Sequence, residues 1–74
     1  NTTHVESFSE LIEVLNSKKG FVSCFWKENK EDELKIKEET SATLRCYPLE
    51  NTDSEKAVNS DSEDGNFAIF SKAY

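Results

Sequence analysis

Few side chains in this 74-residue sequence could do chemistry, and their spacing gives them little to work with. His4 is the only histidine and stands near the start of the chain without a serine or cysteine at nucleophile spacing, so it reads as an ordinary exposed side chain in a fraying terminus. Cys24 and Cys46 lack a nearby Cys or His, which leaves too few soft ligands for a zinc site built from this chain alone. Both read as reduced core thiols rather than a disulfide. Five acids, Asp53, Glu55, Asp61, Glu63 and Asp64, crowd one segment, but the alternation and placed glycine of an EF-hand are missing, and a solvated charge run explains them better. Ser60 and Ser62 beside those acids resemble phosphorylation sites, and Asn1-Thr2-Thr3 fits a glycosylation sequon. Both patterns are common by chance. Arg45 and Lys72 could each meet a phosphate, yet two isolated cations make no patch. The residues alone describe a small acidic α/β domain with no active site.

Composition supports that restraint. Nine Lys or Arg against fifteen Asp or Glu give a net charge of -6, and nucleic acid is gripped mainly through cations on phosphates, so the composition argues against an autonomous nucleic-acid binder. Hydrophobic residues make up 35%, below the globular norm, and imply a thin core that leans on a partner. No apolar run approaches the roughly 20 residues of a membrane-spanning helix. The first residues are polar and acidic, unlike a signal peptide, and a start at Asn1 points to a processed chain or a part of a larger one.

The positioning elements follow from pattern. Ser7 with Glu10 forms a capping box, Phe8, Leu11, Ile12 and Leu15 repeat on one helical face, and Lys18, Lys19 and Gly20 suit the helix end. Phe21–Trp26 predicts an inner strand covered on both sides, with Phe21 and Phe25 on one face and Val22, Cys24 and Trp26 on the other. Glu31–Glu39 predicts a second helix through Glu31–Lys35 and Glu33–Lys37 pairs at i, i+4, although Leu34 and Ile36 are spaced for a strand. Ser41–Tyr47 reads as a strand ended by Pro48, and Asn66–Ser71 as another, with a short edge strand around Val5. The stretch 51–65, with five acids against one lysine, holds -4 of the -6 and reads as a flexible acidic loop. The sum is one domain over residues 1–74 of class α+β: a small two-layer sandwich in the order (β)αβαββ, its helices on one face of a mixed sheet.

Two segments carry a family resemblance. KIKEETSATLRCYPLE (Lys35–Glu50) resembles the KIKEET-ATIRCIPL segment near the end of prolyl-tRNA synthetases of the archaeal and eukaryotic type, and FSKAY (Phe70–Tyr74) resembles their FAKAY ending. SFSELIEVLNSKKGFVSCFW upstream resembles the helix and strand that precede these motifs, while the likeness lapses over 51–65. The resemblance implies a two-layer C-terminal domain of a cytoplasmic, homodimeric class II enzyme. That enzyme uses ATP and magnesium to make prolyl-adenylate and passes the prolyl group to tRNA(Pro). Its catalytic and anticodon domains precede this segment, so the chain alone is not catalytic; the resemblance gives it the catalytic domain as partner and no membrane. It also implies that Tyr74 lies beside the active site, and that Arg45 and Lys72 are candidates for tRNA or interdomain contact.

Many members of this family hold a structural zinc with two cysteine pairs. Aligned without gaps, the first pair falls on Lys27 and Asp32, and the second within 51–65, which contains no cysteine; Cys46 matches a cysteine that is not a ligand. No zinc is therefore expected. An independent acidic protein-interaction module is the alternative function, and a trans-acting editing hydrolase is disfavoured by length and by the missing pocket constellation.

Overall fold

The computed structural model describes residues 2–17, 20–48, 50 and 53–72. The elements run β1 (Thr2–His4), α1 (Phe8–Ser17), β2 (Phe21–Trp26), α2 (Lys30–Thr40), β3 (Ala42–Cys46), β4 (Ser54–Lys56) and β5 (Asp64–Lys72).

Helix α1 starts where the capping pattern places it. Glu10 N donates to Ser7 Oγ at 3.1 Å, and the Glu10 carboxylate reaches back to accept from Glu6 N at 3.1 Å, one residue before the usual partner. Leu11 and Leu15 are buried from one face, with Phe8 and Ile12 packed beside them, and Gly20 takes the positive φ of 103° that lets the chain turn into β2. Lys18 and Lys19, expected at the end of this helix, lie outside the described residues. In α2, Asn29 caps the N-terminus by accepting from Asp32 N, and Ser41 ends the helix in the left-handed region at φ 64°, its N–H donating to Lys37 O at 2.8 Å. Ile36 is fully buried while Leu34 is 55% exposed, which a helix explains because residues two apart point to opposite sides. The expected Glu31–Lys35 and Glu33–Lys37 ion pairs do not close among the described residues; Lys35 instead sets its ammonium 5.6 Å from the centre of the Phe8 ring.

The sheet is mixed and five-stranded, in the order β1-β2-β5-β3. β1 runs parallel to β2, to which it is joined through α1, and β5 lies antiparallel to β2 with Val22 opposite Phe70 and Cys24 opposite Ala68. The other edge of β5 is shared: β3 pairs with its C-terminal half, and β4 with its start, Ser54 opposite Asn66 and Lys56 opposite Asp64. Both helices cover one face. Leu11, Leu15 and Ile36 meet Val22, Cys24, Trp26, Ala42, Ala68 and Phe70 in a single buried cluster. Trp26 is wedged between Phe8, stacked at 6.1 Å, and Phe70, edge-on at 4.9 Å.

Four expectations need correction. His4 does not fray: it sits in β1, with Nδ1 2.9 Å from Ser23 Oγ and its ring stacked on Phe67 at 6.0 Å. The acidic stretch is not all loop, since 54–56 form β4 and β5 begins at Asp64 rather than Asn66. Ala57 and Val58 explain this, because they return to the core from within the charged run. β2 is inner and buried on both sides from Val22 to Trp26, but its first residue is not, as Phe21 is 49% exposed on the face opposite the helices. Cys46, expected in the core, is exposed: a bulge between Leu44 and Cys46 sets Cys46 opposite Ile69 and breaks the alternation that would have turned it inward.

Three measurements test this architecture. A Cβ on Gly65 would stand 2.6 Å from backbone N and C of Trp26, so Gly65→Ala forces β5 away from β2 and should cost about 1–3 kcal/mol in chemical denaturation; an unchanged denaturation midpoint would refute the close approach. Both cysteines are free, and burial pushes the Cys24 thiol up from 9.0 to about 12. An aromatic disulfide reagent should therefore label one thiol, Cys46, in the native chain and two after unfolding. Because Cys24 keeps its proton in the folded state, the stability owed to that neutral thiol is complete below pH 9 and drains as pH rises toward 12. Cys24→Ala should flatten that alkaline decline.

Candidate functional site

The face of the sheet opposite the helices carries the exposed features. Side chains alternate along a strand, so Phe21, Ser23 and Phe25 of β2 share this face with Phe67, Ile69 and Ser71 of β5 and with His4 of β1. Phe25 packs edge-on against Phe67 at 5.6 Å and against His4 at 5.8 Å, making an aromatic cluster with no helix above it. Phe21 and Ile69 extend the apolar surface, and Cys46 adds a free thiol at the bulge.

Arg45 lies across one end of this face. Its Nε donates to Ser71 Oγ at 2.8 Å and its Nη2 to Lys72 O at 3.4 Å, so the guanidinium is held in place but has no carboxylate partner among the described residues. The structure brings Arg45 to the backbone of Lys72 without joining the two cations. Ser71 points to the open face with Arg45, and Lys72, the next residue in β5, alternates to the other side opposite Ala42. Tyr74 lies outside the described residues.

Lys27 and Asp32 occur at the far end of the domain, in the β2–α2 loop and the first turn of α2, and the structure joins them through a residue that sequence reasoning missed. Asn59 bonds to the Lys27 backbone and to the Asp32 carboxylate, and Lys27 Nζ is 3.3 Å from Glu63 Oε2. Nothing in the type or spacing of Asn59 singles it out; the nearest signal is the Ala57–Val58 pair that draws the turn inward.

Catalytic machinery is absent among the described residues. The hollow between Lys27, Asn29, Asp64 and Asn66 contains no nucleophile beside a base. No three His, Cys, Asp or Glu side chains are grouped to hold a metal. The Tyr47 hydroxyl keeps its proton more firmly than usual, first through burial and then through Glu28, Glu33 and Cys24 nearby, and the buried Cys24 thiol stays neutral. What the domain presents is a helix-free, largely aromatic sheet face, most exposed at Phe21, with a fixed cation at its margin.

Residues 8–74 match the family model described as prolyl-tRNA synthetase, C-terminal. The whole chain aligns at 38% identity with the proline–tRNA ligase of Rubrobacter xylanophilus and at 40% with proline–tRNA ligase 2 of Clostridioides difficile, covering 15% and 16% of those proteins. The Giardia lamblia prolyl-tRNA synthetase in complex with prolyl-adenylate shares the fold, with a TM-score of 0.80 over 99% of this chain and 16% of that one at 20% identity. The chain thus spans about 15% of the length of the curated relatives it matches, and it belongs to the prolyl-tRNA synthetase C-terminal domain family.

Proposed function

We propose that this domain buttresses the catalytic domain of a prolyl-tRNA synthetase and takes no part in the chemistry itself. The parent enzyme would join L-proline to tRNA(Pro) through prolyl-adenylate, with ATP and magnesium bound by the catalytic domain. The cytoplasmic setting and homodimeric parent belong to the same reading. No helix among the described residues is long and apolar enough to cross a membrane.

One observation carries the docking role: the helix-free sheet face, where Phe21 is 49% exposed beside Ile69 and the His4–Phe25–Phe67 cluster. An apolar patch of this kind is stable in water only at a cost that a covering partner removes. For a domain matching about 15% of a longer enzyme, the fitting occupant is the body of that enzyme. Arg45, held by Ser71 and lacking a carboxylate among the described residues, suits an acidic side chain of the catalytic domain at the rim of that contact. This favours interdomain over tRNA contact for Arg45 and gives Lys72, which leaves on the opposite side, no share in it. Tyr74, two residues beyond Lys72, is assigned to the edge of the active site on the family resemblance alone.

An independent acidic interaction module would use the same face for another protein, and one experiment separates the two. Phe21→Glu in the full-length enzyme should leave the melting of the isolated chain within about 2 °C, since Phe21 is half exposed. The same change should speed thermal inactivation of proline-dependent pyrophosphate exchange by roughly tenfold, the equivalent of about 1.4 kcal/mol of lost docking. Identical inactivation of the two enzymes would remove this face from the interdomain contact.

A further inference from the structure

The outer edge of β2 is covered by three donors in succession, and the last is a side chain. β1 ends at His4, after which Val5 N donates to Ser23 O at 2.9 Å. Two residues on, Phe25 O accepts from Val58 N at 2.9 Å, so the β4–β5 turn takes over the edge that β1 has left. Two residues further, Lys27 presents its N–H and C=O in the same direction. Both are taken by the Asn59 carboxamide, with Lys27 N donating to Oδ1 at 2.9 Å and Nδ2 donating to Lys27 O at 2.8 Å.

A carboxamide carries one acceptor and two donors in a plane, so it can pair with a peptide unit as a neighbouring strand would. Its second N–H is also used, by Asp32 Oδ2 at 3.0 Å. Across the same gap Lys27 Nζ reaches Glu63 Oε2 at 3.3 Å, and Ser60 Oγ accepts from Glu63 N at 3.2 Å to hold the turn closed. Lys27 and Asp32 are thereby connected to Asn59 and Glu63, and the Asn59 carboxamide uses its oxygen once and its nitrogen as a donor twice.

This is the region where the family resemblance implies a zinc, and the residues present do not fit one. Lys27 offers an ammonium, which has no lone pair while protonated and repels a dication. Asp32 and Asn59 are already bonded to each other, and no sulfur or imidazole lies among these four residues. We propose that Asn59 acts as a metal-free clasp, its side chain serving as a one-residue strand that fastens the β4–β5 turn to the β2–α2 loop. The cross-link is made of hydrogen bonds, and zinc is neither bound nor needed there. This inference rests on the bonding geometry and does not depend on the docking role proposed above.

Thermal melts of the chain, alone, with EDTA and with equimolar zinc, test it together with Asn59→Ala and Asn59→Asp. Aspartate keeps an acceptor for Lys27 N, loses both donated bonds and faces Asp32 with a like charge. Both variants should melt ~4–8 °C or more below the native chain, while EDTA and zinc leave the native melting temperature unchanged and elemental analysis finds no stoichiometric metal. One equivalent of zinc, a fall with EDTA, or an Asn59→Ala chain melting within about 1 °C of the native one would overturn the clasp. Should the variants fail to fold, hydrogen exchange of the native Lys27 amide decides: protection supports the bond to Oδ1, and exchange at the rate of an exposed loop amide refutes it.

Discussion

The fold depends on one strand being shared. β5 must satisfy β2 along one edge and, along the other, β3 and β4 laid end to end. Neither β1 nor β4, at three residues each, could persist as an isolated pair, and β3 would lose its only strand partner among the described residues without β5. The segment that closes the chain is therefore the one that organises it, and most of the strand pairing joins residues far apart in sequence. Gly65 marks the tightest point of that arrangement, because β5 there passes the Trp26 backbone too closely for any side chain. The same Trp26 fills the core between Phe8 of α1 and Phe70 of β5, so the tightest backbone approach and the largest buried side chain lie at one place.

The two faces of the sheet are unequal in a way that composition foreshadows. With 35% hydrophobic residues the chain can cover one face with helices and still leave apolar side chains on the other. The helix side is finished, its cluster fully buried. The second face has its aromatic rings packed against one another with no helix above them, while its polar atoms are paired locally: His4 with Ser23, and Arg45 with Ser71. Such a face loses little on being covered, because its polar groups need not find new partners and its apolar area leaves water.

What could be read from sequence was whatever is encoded in short-range pattern. Ser7 and Glu10 mark the start of α1, and the spacing of Phe8, Leu11, Ile12 and Leu15 marks its inner face. The alternation in β2 separates Val22, Cys24 and Trp26 from Phe21 and Phe25, and the family motifs identify the domain. Features fixed by distant partners escaped. β4 is three polar residues, Ser54, Glu55 and Lys56, whose strand character comes from the backbone of β5. Cys46 carries the type of a core residue and is turned outward by a bulge that no local residue announces. His4 is ordered by Ser23, Phe25 and Phe67, all at least nineteen positions away. Asn59 is one polar residue in a polar run, distinguished only by the unpaired edge of β2 that it meets.

The charge distribution ties these observations together. Most of the net charge of -6 lies in 51–65, yet this segment is fastened at both levels available to it, by β4 against β5 and by the turn against Lys27. Those attachments use backbone amides, a carboxamide, a lysine and the carboxylates of Asp32 and Glu63, and the acids of the segment itself stay exposed and carry no burial cost. A metal centre in the same place would have had to hold its ligands against a field of acidic side chains, which compete for the cation in many weak geometries. Hydrogen bonds to the peptide backbone are directional and indifferent to that field. An acidic surface and a metal-free attachment are thus compatible choices in one segment, which also brings Glu55 beside His4 and Phe25 at the edge of the open sheet face.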